Sequence, residues 1–116
     1  RIEEAKEIYG KALSACTESE RDLDIKCDCF ANRAACNRQL YLPEECVADA
    51  TAALEINPSL VKSLIRRGQA YESMEKYEHA LADFTLAARL APNATIAYQG
   101  ASRLRAFMNK YDAGNN

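Results

Sequence analysis

The stretch VKSLIRRGQAYESMEKYEHALADFTLAARLAP, from Val61 to Pro92, decides the fold of this chain. Its apolar residues recur with helical spacing, which predicts two amphipathic helices, from about Ser59 to Ser73 and from about Tyr77 to Leu90. The polar pair Glu75-Lys76 predicts the turn between them. A helical hairpin this short cannot bury both faces of its helices alone, so the pattern indicates neighbouring units of the same kind.

The repeating unit is visible upstream, because Pro58 and Pro92 lie 34 residues apart and each ends a predicted unit. A shift by this period superposes ALEINP, residues 53–58, on AARLAP, residues 87–92. Phe84 falls on Ala50, which changes the size of the residue but keeps the phase of the pattern. The small positions, where two helices must approach closely, stay small: Gly68 and Ala34, Ala80 and Cys46, Ala87 and Ala53.

The third unit resembles the tetratricopeptide repeat, a helix–turn–helix unit of this period. The second unit is looser, because Arg33 and Asn37 stand where a large apolar and an aromatic residue are usual. The resemblance implies an all-α fold, an α-α superhelix of stacked helical hairpins with a C-terminal capping helix. The residues that carry it in the third unit are Leu64, Gly68, Tyr71, Ala80, Phe84, Ala87 and Pro92.

A single domain is predicted over residues 1–111. It consists of the second helix of a first repeat at residues 1–18, repeat two at 24–58, repeat three at 59–92 and a capping helix at 93–111. A polar tail is predicted after it, at residues 112–116. The polar stretch TESERDL, residues 17–23, leaves open whether the first helix runs on or a longer loop follows.

The first helix of repeat one is expected before Arg1, outside this sequence. Without that helix, an apolar stripe on the first predicted helix is expected to face water, and exposed stripes invite association. We therefore expect either self-association through this helix or an upstream helix that covers the stripe. The stripe consists of Ile2, Ala5, Tyr9 and Ala12.

Composition limits the classes of function. Of 116 residues, 48% are apolar and 28% charged, which is typical of a folded globular domain. The net charge of −2 argues against nucleic-acid binding. No apolar run approaches the roughly 20 residues that span a membrane. Five cysteines, an odd number scattered along helices, favour a reducing compartment and hence a cytoplasmic location.

Metal and catalytic sites are not indicated. Cys27 and Cys29 invite a zinc hypothesis, but on a helix their side chains point about 200° apart, and no second pair has metal spacing. His79 is the only histidine, and no partner carboxylate stands at a recognisable spacing. We expect small buried or half-exposed thiols, no cofactor and no enzymatic activity.

The informative feature is the pair Lys62 and Arg66, which lie four residues apart and so share one face of a helix. In a stacked repeat array the first helix of each unit lines the concave side. Gln69 shares that side with the two cations, and a solvated surface is the alternative explanation. The equivalent side of unit two carries Asn32, Ala35 and Gln39. An amide, an ammonium and a guanidinium together suit a carboxylate-rich extended peptide.

The motifs Asn32-Arg33-Ala34-Ala35 and Lys62-x-x-x-Arg66-Arg67-Gly68 resemble the carboxylate-clamp tetratricopeptide domains of co-chaperones. That subgroup holds the C-terminal Glu-Glu-Val-Asp tail of heat-shock protein 90 or heat-shock protein 70. By resemblance, Asn32 and Lys62 would hold the terminal carboxylates, and Arg66 an oxygen further up the tail. Ala35 and Gln39 would border a pocket for an apolar tail side chain.

Two further clamp residues, a lysine and an asparagine, are implied by the resemblance on the helix expected before Arg1. The leading hypothesis is thus a non-enzymatic adaptor that binds a chaperone tail. The alternative is a repeat scaffold that binds another protein through its concave groove or its convex face. Charge reversal at Lys62 and Arg66 separates the two, because it abolishes tail binding only in the first case.

Overall fold

A computed structural model describes the chain from Arg1 to Asn115, and its side chains as far as Gly114. This part of the chain is all-α, with each helix packed on the next and α2 also in contact with α4. The stack is elongated, 53 × 26 × 21 Å, and confirms the predicted superhelix of helical hairpins. Its helices are α1 (Ile2–Ala15), α2 (Glu20–Gln39), α3 (Pro43–Ile56), α4 (Val61–Ser73), α5 (Tyr77–Leu90) and α6 (Thr95–Asn115).

The two complete hairpins, α2–α3 and α4–α5, close with the same turn. The N–H of Leu42 donates to the carbonyl of Asn37 at 2.9 Å, and the N–H of Lys76 donates to that of Tyr71 at the same distance. These bonds, from a residue to the one five before it, are those of the Schellman motif, which requires a left-handed residue. Tyr41 and Glu75 fill that position, each with φ of 59°. The period of 34 residues therefore extends to the backbone conformation of the turns.

Close packing around Phe84 joins α4, α5 and α6. The ring is fully buried, together with Leu64 and Leu104. A Cβ built on Gly68 would lie 3.1 Å from this ring, and one built on Gly100 would lie 2.8 Å from it. The predicted role of Gly68 as a point of close approach is thus confirmed. Gly100 on α6 has the same role and leaves even less space for a side chain.

Three helix ends differ from the expectation. α1 ends at Ala15 and not at about residue 18. α2 begins at Glu20 and not at about Asp24, because the side chain of Ser19 caps it by accepting from the N–H of Asp22 at 3.2 Å. The break after α1 is therefore short. At the other end, α6 continues through residues 112–115, which were expected to form a tail, since no proline interrupts it. Residue 116 of that predicted tail lies outside the described residues.

The first helix, α1, has no buried residue. Its predicted apolar stripe, which includes Ala5 and Tyr9, is half-buried and not open to water, because α1 packs against α2. The large apolar side chain that this helix does expose is Ile8, at 64%. Self-association through α1 stays a prediction.

Candidate functional site

A groove of about 320 Å³ runs along the side of the stack where α2 and α4 lie next to each other. Five of the six predicted site residues line it, and the sixth, Asn32, lies half-buried one turn before Ala35 on α2. We call it the cationic groove, and define it by its lining: Ala35, Arg38, Gln39, Lys62, Ile65, Arg66, Gln69 and Ile96.

The charge of this groove is of one sign. Three cations line it, and no carboxylate does. Among the described residues, neither Lys62 nor Arg66 forms an ion pair. The chain as a whole carries a net charge of −2, so the positive potential is local to this groove.

Arg66 is fixed in place by the backbone of the neighbouring helix. Its Nη1 donates to the carbonyl oxygen of Ala31 at 2.8 Å. Burial lowers the pKa of the Arg66 guanidinium, and the nearby positive charge of Arg38 lowers it further. A guanidinium has five N–H donors and stays protonated at neutral pH. One N–H donor thus orients the Arg66 side chain. Its other donors and its positive charge remain available to a ligand.

Asn32 lies next to the point where Arg66 meets α2, since Arg66 binds the carbonyl of the preceding residue. Its side-chain amide makes no hydrogen bond within the described part of the chain. An unengaged amide beside a guanidinium offers both a donor and an acceptor to a ligand. The structure thus brings Asn32, Lys62 and Arg66 to one side of the stack.

Arg38 is the cation of the groove that was not predicted from the sequence, and Ile65 and Ile96 are its apolar lining residues that were not predicted. Arg38 lies three residues after Ala35, so the helical step that related the other candidates also leads to it. Its side chain is exposed at the last turn of α2.

Two other arginines of the same motifs are occupied by internal ion pairs. Nε and Nη2 of Arg33 donate to the two carboxylate oxygens of Asp49, each at 2.8 Å. Arg67 binds Asp83 in the same bidentate manner, again at 2.8 Å. Both aspartates are buried. These arginines therefore hold the hairpins together and are not available to a ligand.

This pairing was missed as well, although the sequence carries its signal. Arg33 and Arg67 lie one period apart, and so do Asp49 and Asp83. Opposite charges that recur with the period of a structural repeat indicate an ion pair in each unit. Arg33 stood out in the sequence as an unusual residue in place of an apolar one, and the buried aspartate explains it.

The cysteines are free thiols, buried except for the half-buried Cys16. Burial raises the pKa of Cys46 to about 11. Within residues 1–115, no three or more His, Cys, Asp or Glu side chains cluster as metal ligands would. His79 packs against the ring of Tyr71, with ring centroids 5.2 Å apart.

The comparison with protein families decides the identity of the fold unit. Residues 61–94 match the family model described as the tetratricopeptide repeat. This match covers α4 and α5, the hairpin whose geometry recurs in α2 and α3. Helices α4 and α5 therefore form a tetratricopeptide repeat. None of the helices in the described residues of this tetratricopeptide domain is long and apolar enough to cross a membrane.

Similar proteins come from chaperone and import systems. The human mitochondrial import receptor subunit TOM34 is 35% identical over 91% of this chain, and the chain spans 35% of that protein's length. The Hsp90 co-chaperone Cns1 from Saccharomyces cerevisiae superposes with a TM-score of 0.85 at 30% identity, covering 99% of this chain and 36% of that one. The myosin chaperone UNC-45 from C. elegans, solved with an Hsp90 peptide, gives a TM-score of 0.83 at 31% identity over 91% of this chain and 12% of its own.

Proposed function

We propose that this tetratricopeptide domain is a non-enzymatic adaptor that binds the acidic C-terminal tail of a cytosolic heat-shock chaperone of the seventy- or ninety-kilodalton class. The observation that carries the proposal is the cationic groove, in which three cations face no carboxylate. Unpaired cations held close together repel one another, and an anionic ligand removes that repulsion. The domain therefore favours a ligand rich in carboxylates.

The proposal gives each predicted residue a role. Asn32 and Lys62 would hold the terminal carboxylate of the tail. Arg66, which its bond to Ala31 orients, would bind a carboxylate or carbonyl oxygen further up the tail. Charge-assisted hydrogen bonds contribute roughly 1.5–3 kcal/mol each, so these contacts account for recognition without a large buried area.

Apolar side chains and amides of the groove complete the proposed site. Ala35 and Ile65 line it next to Gln39 and Gln69. A short apolar side chain of the tail would pack on Ala35, while the two amides would bind the peptide backbone, as polar groups in a peptide groove commonly do. An extended peptide with acidic groups around one apolar residue fits this pattern.

The similar proteins support the same proposal. One similar chain is described as an Hsp90 co-chaperone, and another was solved with an Hsp90 peptide bound. This chain spans about a third of the length of TOM34 and of Cns1.

The test is a titration with a peptide that ends in Glu-Glu-Val-Asp, followed by two-dimensional NMR, which detects weak binding. We expect shifts on the groove faces of α2 and α4. Lys62→Gln and Arg66→Gln should each lower the affinity by about 10- to 100-fold, since each removes a charge-assisted contact. A peptide with an amidated C-terminus should lose a similar factor.

The matched control is Arg89→Gln, which removes one positive charge from an exposed site on α5 outside the groove. It should leave the affinity unchanged within about twofold, because salt largely screens an exposed charge that does not contact the ligand. Equal losses for Arg89→Gln and Lys62→Gln would reduce the effect to net charge. Binding that survives charge reversal at Lys62 and Arg66 would favour the alternative, a repeat scaffold that binds a different protein partner through another surface.

A further inference from the structure

Arg38 lies at the junction of two grooves. It lines the cationic groove, and it also lines a neighbouring depression of about 750 Å³, which we call the side groove. Gln39 and Gln69 belong to both, so the two form one continuous path along α2 and α4. The lining of the side groove is Arg38, Gln39, Tyr41, Leu42, Pro43, Gln69, Ala70, Glu72, Ser73 and Arg103.

The charge of Arg38 has no internal partner. Its guanidinium makes no hydrogen bond or ion pair with any described residue. Glu72 is the one carboxylate in the lining of the side groove, and Arg103 occupies it with contacts of 2.7 and 3.1 Å. Arg38 is therefore a free cation at the point where a peptide would leave the cationic groove.

The spacing of the groove residues locates this point along a bound peptide. Lys62 and Gln69 are seven residues apart on α4, which is roughly 10 Å along a helix axis. An extended chain covers about 3.3 Å per residue. If the last residue of a tail lies at Lys62, the third or fourth residue from the end lies near Gln69 and Arg38.

We propose that Arg38 determines specificity by pairing with the carboxylate of an acidic side chain at about the fourth position from the C-terminus of the partner. The planar fork of a guanidinium matches a carboxylate in two parallel hydrogen bonds. This inference rests on the proposed function, and it adds a requirement that Asn32, Lys62 and Arg66 do not impose. The domain would select tails with an acidic residue at that position over tails with a neutral one.

The experiment is a double-mutant cycle measured by NMR titration or fluorescence anisotropy. Two peptides are compared, one ending in Glu-Glu-Val-Asp and one ending in Gln-Glu-Val-Asp. Each is titrated into the unsubstituted domain, into Arg38→Gln and into the control Arg89→Gln. Arg38 is exposed, so its substitution should leave the fold intact, which circular dichroism checks.

We expect Arg38→Gln to weaken the Glu-Glu-Val-Asp peptide about tenfold and the Gln-Glu-Val-Asp peptide less than twofold. Arg38→Lys should recover part of the loss, because it restores the charge but not the fork. Arg89→Gln should weaken neither peptide.

Equal losses for the two peptides, or no loss for either, would overturn the role of Arg38 and leave the proposed function intact. If neither peptide binds the unsubstituted domain, the proposed function fails and this inference fails with it.

Discussion

The two complete repeats share one scaffold but fill it differently. In each, an arginine on the first helix grips a buried aspartate on the second, one period apart along the chain. At the centre of the second helix, however, unit two carries Ala50 and unit three carries Phe84, both fully buried. The shared ion pair fixes how the helices of a hairpin meet, whereas the central residue depends on what packs against the hairpin next.

The helix that follows each hairpin shows the opposite exchange of volume. Arg66 on α4 and Gly100 on α6 lie one period apart, and they follow unit two and unit three respectively. Where α4 presents the large Arg66, the hairpin before it has the small Ala50. Where α6 presents Gly100, the ring of Phe84 fills the space, with a hypothetical Cβ on this glycine only 2.8 Å away.

This difference separates a helix that forms the groove from a helix that closes the stack. α4 carries Lys62 and Arg66, and the equivalent positions of α6 are Ile96 and Gly100. The cations of the groove therefore end with α4. Equivalent helices of the repeat can therefore either line a binding groove or close the stack. The size and charge of their side chains decide which.

The largest effect is expected from Phe84→Ala, which removes the ring that joins α4, α5 and α6. Truncation of a buried phenylalanine costs about 3–5 kcal/mol, because transfer energy is lost and a cavity remains. Urea denaturation monitored by circular dichroism measures the change. Ala50→Gly is the matched substitution in unit two, and we expect it to cost about 1 kcal/mol through helix propensity. Comparable losses at the two sites would contradict the division of roles between the repeats.

The ion pairs should rank next. Asp49→Ala and Asp83→Ala each leave a largely buried arginine without its partner, for which we expect about 2–4 kcal/mol of destabilisation. Asp49 should be the more costly, because it also accepts from the Nδ2 of Asn37 at 2.8 Å. Arg67, by contrast, keeps a bond to the hydroxyl of Thr51 at 3.1 Å. Chemical denaturation of both variants side by side gives the order, and the reverse order would refute this account.

A third test concerns the bond between the hydroxyl of Thr51 and Arg67, which joins α3 to α4. The test introduces the same kind of bond between α1 and α2. Gly10 on α1 lies beside Arg33 as Thr51 on α3 lies beside Arg67, because a Cβ on Gly10 would lie 3.5 Å from Nη1 of Arg33. Gly10→Ser should place a hydroxyl within reach of this guanidinium. The control is Gly10→Ala, which gains about 1 kcal/mol from helix propensity alone.

A hydrogen bond to a charged group adds about 1.5 kcal/mol or more, which outweighs the lower helix propensity of serine. Thermal unfolding should therefore give a higher Tm for the serine variant than for the alanine variant. A serine variant less stable than the alanine variant would mean that no bond to Arg33 forms.

The smallest effect concerns the turns. Tyr41 and Glu75 both adopt φ of 59°, which is unfavourable for a residue with a Cβ. Tyr41→Gly and Glu75→Gly should each stabilise the domain by up to about 1 kcal/mol, since glycine adopts this conformation without steric cost. Equilibrium unfolding of the two variants should give gains of similar size. A loss at position 41 alone would show that the exposed tyrosine ring has a packing role.

Much of this architecture was predictable from spacing. The proline-ended period, the small positions and the amphipathic pattern gave the number and order of the helices, and the ends of α3, α4 and α5 within a residue or two. The start of α2 was misplaced by about four residues because the capping role of Ser19 went unrecognised. The end of α6 was misplaced because a polar composition does not by itself stop a helix.

The candidate site was predictable in part. Helical spacing placed Lys62, Arg66 and Gln69 on one face of α4 and the residues of unit two on one face of α2. It did not distinguish cations that are free from cations that are neutralised, because that depends on aspartates sixteen residues away along the chain.

The sequence by itself therefore determined the helical repeat, since a period of 34 residues and the positions of small and apolar side chains act locally and recur. Only the tertiary structure decided which arginines are free. Arg33 and Arg67 face buried aspartates of their own hairpins, while Arg38 and Arg66 face the open side between α2 and α4. Four arginines alike in sequence differ because the charge around each is set by the helix packed against it.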